Sequence, residues 1–146
     1  MKKIVLSMLL ALPAIIASAQ KGTLSSTPNK VQAGFKRDHP DEGNANWEKS
    51  NGDWRASYKS EGRAVNEYYN RKGQRSFRRT EWDRKKLSAT VDKKIRSGYD
   101  ISDYKISRIE RPKNPALYEV KYTKDGKEST VYTDENGNKE NYHTKY

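Results

Sequence analysis

Cysteine is absent from this chain of 146 residues, and histidine occurs only at His39 and His143. Disulfides, thiolate metal sites and a cysteine nucleophile are therefore excluded. His39 lies between Asp38 and Pro40, close to Asp41, so an acid, base or metal-binding role has to be considered. Because the proline marks a helix end there, we interpret His39 as a solvated helix terminus.

Other catalytic patterns are missing as well. The serines have no G-x-S-x-G setting, and the glycines form no phosphate-binding loop. Asp134 and Glu135 are adjacent, but Asn136 and Gly137 follow them without the spacing of a calcium loop, so a turn is the simpler interpretation. We predict a protein that is not an enzyme and that has no cofactor and no metal site.

Large aliphatic residues are scarce, since residues 20–146 contain only 14 Leu, Ile, Val or Phe. Together with a net charge of +11, this composition would also suit a disordered chain. Ten tyrosines and three tryptophans favour a folded one, because each can bury roughly 150–250 Å². We therefore expect a tyrosine-rich core of modest stability.

The only long apolar run lies at the N-terminus. Lys2 and Lys3 precede apolar residues 4–16, and an A-x-A site ends at Ala19 before Gln20. This is the pattern of a cleaved signal peptide, and the run is short for a membrane span. We expect signal peptide 1–19, a flexible leader 20–27 and one domain 28–146. Without a cysteine for a lipid anchor, the product should be periplasmic or secreted.

Positive charge is densest between residues 71 and 86, where Phe77 and Trp82 interleave with it. The candidate anion-binding residues are Arg71, Lys72, Arg75, Arg78, Arg79 and Arg84. An exported protein does not meet nucleic acid, so this segment suggests an anionic envelope polysaccharide or a lipid surface. The alternative is a solvated strand edge, where positive charge discourages aggregation.

Two stretches, 53–74 and 117–138, align without a gap at an offset of 64 residues. The matching pairs are Trp54 with Tyr118, Tyr58 with Tyr122, Gly62 with Gly126, Tyr68 with Tyr132, and Gly73 with Gly137. A repeat of this kind indicates one supersecondary unit used twice. Its matched positions are turn glycines and strand aromatics, which are structural residues.

The first repeat, about 28–82, should begin with a helix that Thr27 caps and Pro28 opens. Asn51-Gly52 predicts a hairpin, and strands follow up to residue 82. The second repeat, about 83–142, has an apolar stripe that ends at Gly98, a longer proline-containing loop at residues 111–115, and a last clear strand at residues 129–133. The fold class is α+β: two tandem helix-plus-antiparallel-meander repeats form one sheet with both helices packed on one face.

Several motifs resemble those of the PepSY-like family of exported Bacteroidetes proteins. They are the helix end from Phe35 to Pro40, the Trp47-Glu48 strand, the aromatic-x-Ala-x-aromatic strand at residues 54–58, and Tyr68-Tyr69 running into Gly73. Leu87 is followed by Ser88 where the family has Leu-Pro. The resemblance implies a fold like that of the β-lactamase inhibitor protein, an envelope or extracellular location, and a binding or inhibitory role.

Alternate residues of such a sheet must point away from the helices, onto a face without a cover. Exposed tyrosines make good protein contacts, since they offer large area at low entropic cost. The candidate interaction residues are Trp54, Tyr58, Tyr68, Tyr118, Tyr122 and Tyr132. Some of them must form the core instead, and the sequence leaves open which ones. We expect a protein partner in the envelope or the medium.

Overall fold

The computed structural model describes residues 26–142. The predicted signal peptide, residues 20–25 of the leader and His143 lie outside the described residues. Two helices and eight strands make up the fold: α1 (Asn29–Asp38), β1 (Asn46–Ser50), β2 (Asp53–Ser60), β3 (Arg63–Tyr69), β4 (Arg75–Trp82), α2 (Ala89–Tyr99), β5 (Lys105–Arg111), β6 (Asn114–Lys124), β7 (Lys127–Thr133) and β8 (Lys139–Glu140).

The strands form one antiparallel meander in the order β1 to β8. Residues directly opposite each other on neighbouring strands share a face of the sheet. From Trp47 the helix side therefore runs through Ala56 and Glu67 to Arg78. Further along, it continues from Trp82 through Ile106 to Val120 and Val131.

Both helices lie on that side. Val31 and Phe35 of α1 pack with Trp47, Ala56 and Tyr69. Ile95 of α2 packs with Ile106, Tyr118 and Val120. The predicted fold class, with one sheet and both helices on one face, is confirmed.

The repeat is visible at atomic detail in two turns. Asn70 Oδ1 accepts from the amides of Lys72 and Gln74, and Asp134 Oδ1 accepts from the amides of Asn136 and Asn138. The glycine of each turn has a positive φ, 73° at Gly73 and 77° at Gly137, and each lies against a helix backbone. The matched glycines are thus the points where each repeat receives its helix.

Local predictions at the helix ends need correction. Pro28, not Thr27, is the residue that precedes α1, and the Thr27 hydroxyl is buried without a hydrogen-bond partner among residues 26–142. The second helix passes through Gly98 to Tyr99, and the left-handed residue that ends it is Asp100, with φ of 52°. Ser88 caps its start by accepting from the Val91 amide at 3.2 Å.

The predicted longer loop at residues 111–115 is wrong. Arg111 and Asn114 are paired across β5 and β6, which leaves a two-residue turn of Pro112 and Lys113. Lys113 takes a positive φ of 62°, as the position after a turn proline often does. The β1–β2 hairpin turns on two residues as well, because Ser50 pairs with Asp53.

Candidate functional site

The six candidate aromatic residues divide between the two faces of the sheet. Trp54 and Tyr58 pack beside α1, and Tyr118 and Tyr122 pack beside α2. Tyr68 and Tyr132 instead point away from both helices, onto what we call the far face. This face comprises Arg55, Tyr68, Phe77, Arg79, Ile109, Leu117, Glu119, Lys121, Thr130 and Tyr132, with their cross-strand neighbours.

An apolar cluster occupies one half of the far face. Tyr68 and Phe77 lie directly opposite each other with their rings stacked at 4.1 Å. Ile109 and Leu117 continue the cluster, and Tyr132 packs against it. The expectation of an uncovered face therefore fails at the centre, because Tyr68 and Phe77 are each only 2% exposed.

A buried ion pair lies beside this cluster. Arg79 donates to Glu119 Oε2 at 2.6 Å, and Lys121 Nζ lies 3.4 Å from the other carboxylate oxygen. The Glu119 side chain is almost fully buried, and its contacts with these two cations offset the cost of burying it. The Tyr132 hydroxyl donates to the same carboxylate at 3.5 Å. The ion pair thus joins the apolar half of the far face to its polar half.

The polar half of the far face forms a shallow groove of about 730 Å³. Asn66, Ser107 and Lys105 line it next to the Arg79–Glu119 pair. Lys105 and Lys121 are directly opposite each other on β5 and β6, and both are exposed. Like charges directly opposite each other destabilise a sheet, and here Glu119 lies 3.4 Å from Lys121 and offsets part of that repulsion.

The structure disperses the predicted anion-binding segment. Arg71 and Lys72 are exposed in the β3–β4 turn, whereas Arg79 lies on the far face. A bulge between Tyr68 and Tyr69 turns both Arg75 and Arg78 toward the helix side. Arg84 lies at the start of a 3₁₀ turn before α2.

Four of the six cations already have a carboxylate within 4 Å. Arg75 and Arg78 lie 3.2 and 3.6 Å from the carboxylate of Glu67, and Arg79 is paired as above. Arg84 bonds Asp92 at 2.7 Å and Asp103 at 3.2 Å. The hydrogen bond from Arg84, with smaller contributions from those of Tyr104 and Arg96, lowers the pKa of the Asp92 carboxyl from 3.8 to about 2. Of the six candidates, only Arg71 and Lys72 have no carboxylate of residues 26–142 within 4 Å of their side chains.

His39 is not a solvated helix terminus. Its Nε2 lies 2.7 Å from Glu67 Oε2, and the two side chains are 13% and 0% exposed. The Tyr69 hydroxyl donates to the same carboxylate at 2.7 Å, and the Tyr58 hydroxyl lies 3.4 Å from the imidazole. Burial, with Glu67 close by, raises the pKa of both tyrosines. This cluster ties α1 to the sheet.

Sequence reasoning missed both buried carboxylates. Strand alternation could have found them, because Glu67 falls between Val65 and Tyr69 on the helix side. Glu119 likewise lies two residues after the buried Leu117, on the far face. Within residues 26–142, no group of three His, Asp or Glu side chains converges as a metal site. Neither helix in that range is long and apolar enough to cross a bilayer.

Three solved structures resemble the chain over most of its length. A DUF2874 family protein from Bacteroides ovatus ATCC 8483 has a TM-score of 0.70 and 24% identity, covering 78% of this chain and 84% of its own. A protein from Bacteroides eggerthii DSM 20697 that is described as periplasmic has a TM-score of 0.70 and 13% identity, covering 77% and 85%. A BLIP-like protein from Bacteroides fragilis NCTC 9343 has a TM-score of 0.64 and 19% identity, covering 80% and 92%.

The chain has a BLIP-like fold, that of the β-lactamase inhibitor protein. At identities below 25%, the likeness establishes the fold alone. A scan of known protein families finds no match, and neither does a search of curated proteins.

Proposed function

We propose that this BLIP-like chain is an exported, non-enzymatic binding module of the PepSY-like kind, which recognises a protein with its far face. The observation that carries the proposal is the composition of that face. Both helices pack on the other side of the sheet, so neither of them covers the far face along β3 to β7. It combines stacked aromatic rings, a desolvated ion pair and a groove of about 730 Å³.

This combination suits a protein partner. Hot spots of protein interfaces are aromatic and arginine side chains at a desolvated centre, surrounded by a polar rim. Tyr132 and Arg79 provide such a centre, and Lys105, Lys121 and Thr130 provide the rim. The Tyr132 ring is also packed against the apolar cluster before binding, so little of its side-chain entropy is lost on binding.

An inhibitory role toward a secreted hydrolase or peptidase is the form of binding that we propose first. It is supported by the BLIP-like description of the Bacteroides fragilis structure. Binding to an anionic polysaccharide or lipid surface is less favoured, because four of the six arginine and lysine candidates are already paired.

Capture from a culture supernatant or periplasmic extract tests the proposal. The bait proteins are the wild type, Thr130→Arg on the far face and Ser97→Arg on the exposed side of α2. We expect wild type and Ser97→Arg to retain the same protein, and Thr130→Arg to lose it. The retained protein is then assayed for hydrolase activity with and without the bait. Equal capture by all three baits contradicts a far-face binding site.

A further inference from the structure

The apolar half of the far face already holds an aromatic side chain from the end of the described chain. Tyr142, two residues beyond β8, packs against the cluster of Tyr68, Phe77, Ile109 and Leu117. Its ring meets that of Tyr132 edge-on, with centroids 5.1 Å apart and planes at 85°. The Arg111 guanidinium lies 4.9 Å from the centre of the same ring.

The short strand that precedes Tyr142 is weakly attached. β8 has two residues, and only Glu140 with Tyr132 and Lys139 with Thr133 are paired across β7 and β8. Lys139, Glu140 and Asn141 are all exposed. Short exposed elements of this kind open at a free energy far below that of global unfolding. Beyond this pairing, the described contacts of residues 139–142 with the far face are those of the Tyr142 ring.

We propose that Tyr142 is an internal occupant of the binding site. Residues 139–142 cover the aromatic half of the far face, and a protein partner docks by replacing the Tyr142 ring with an aromatic side chain of its own. This inference rests on the proposed function of the far face and adds how the site is closed and what opens it. The replacing ring would inherit the edge-on contact with Tyr132 and the cation–π contact with Arg111, which define the partner's chemistry.

The Tyr142 cover also explains how an apolar cluster can lie on the far face of the unbound protein. An exposed cluster of Tyr68, Phe77 and Tyr132 would be a contiguous apolar patch, which favours aggregation. Tyr142 shields that patch from solvent, and it competes with the partner's aromatic side chain for the same position. The partner's apparent affinity is then reduced by the fraction of molecules in which the segment is closed.

Dye binding tests whether Tyr142 is a cover, without knowledge of the partner. In Tyr142→Ala, we expect the fluorescence of the hydrophobic dye ANS to rise several-fold, while far-UV circular dichroism is unchanged. Tyr142→Phe keeps the ring and Lys139→Ala alters only the exposed part of the segment, so both should match the wild type. Dye binding by folded Tyr142→Ala at the wild-type level would overturn the inference.

Hydrogen exchange of the wild type provides a second test that needs no variant. The amides of residues 139–142 should exchange orders of magnitude faster than those of β3 to β6. Protection equal to that of β3 to β6 would show that the segment opens only with the whole domain, and would overturn the inference. Neither result depends on a partner, whereas loss of the proposed function is read from capture by Thr130→Arg. With a partner in hand, Tyr142→Ala should bind it several-fold more tightly.

Discussion

His39 Nε2 and Glu67 Oε2 lie 2.7 Å apart, although 28 residues separate them in the chain. The contact joins the end of α1 to the middle of β3. Arg75, Arg78 and Tyr69 complete the surroundings of the buried carboxylate. One acidic side chain therefore connects a helix, a strand and the bulged strand beside it.

Removal of Glu67 should destabilise the domain strongly. Glu67→Ala leaves Arg75 and His39 without a carboxylate partner and leaves Arg78 only Glu110, 3.9 Å away, so we expect a loss of about 3 kcal/mol in the free energy of unfolding. His39→Ala removes one charge-assisted hydrogen bond and should cost about 1.5 kcal/mol. Urea unfolding of both variants and of the double variant checks this. Strictly additive losses would show that the two side chains are not coupled.

The two helical glycines should respond oppositely to alanine. A Cβ at Gly34 would lie 2.1 Å from the Gly73 carbonyl oxygen, so Gly34→Ala must push α1 away from the β3–β4 turn. We expect a loss of about 1–3 kcal/mol. A Cβ at Gly98 meets nothing within 4 Å, and Gly98→Ala should stabilise α2 by up to about 1 kcal/mol. Thermal unfolding of Gly34→Ala and Gly98→Ala checks both expectations. A Gly34→Ala variant more stable than the wild type would refute the close packing of α1 on the β3–β4 turn.

The Arg84–Asp92 pair should contribute a specific acid sensitivity. Because the pKa of Asp92 is lowered from 3.8 to about 2, its ionised form stabilises the fold above pH 3.8. That stability is lost as the pH falls from 3.8 toward 2. The difference in unfolding free energy between wild type and Asp92→Asn should therefore shrink across this interval. A difference that stays constant would contradict the lowered pKa.

Export can be tested by the mass of the processed chain. If residues 1–19 are a signal peptide, the protein recovered from the periplasm or medium begins at Gln20. Changing Ala17 and Ala19 to larger residues should block cleavage at that site. Recovery of the full 146-residue chain from the cytoplasm alone would contradict the prediction.

The sequence predicts most of the scaffold, because turns and strand alternation are local properties. The 64-residue repeat places the turn glycines and paired strands correctly, as the matching turns at Asn70 and Asp134 show. The sequence does not predict β8, because a strand of two residues is too short to show an alternating pattern. The two-residue turn at Pro112 was misread as a loop because Lys113 is not a usual residue for a positive φ.

The candidate site depends more on long-range geometry. Alternation groups Trp54 with Tyr58 and Tyr118 with Tyr122 on one face of their own strands, but it does not show which face Tyr68 and Tyr132 share or which face receives the helices. The pairing of Arg75 and Arg78 with Glu67 requires the bulge at Tyr68, which has no sequence signal here. The His39 contact requires the relative placement of α1 and β3, and is therefore visible only in the folded chain.

Photo-crosslinking tests the central claim most directly. A benzoylphenylalanine replaces Lys105 on the far face or, as a matched control, Lys93 on the exposed side of α2. After irradiation in periplasmic extract or culture medium, we predict one protein adduct from position 105 and none of that protein from position 93. The same adduct from both positions, or from position 93 alone, would contradict recognition through the far face.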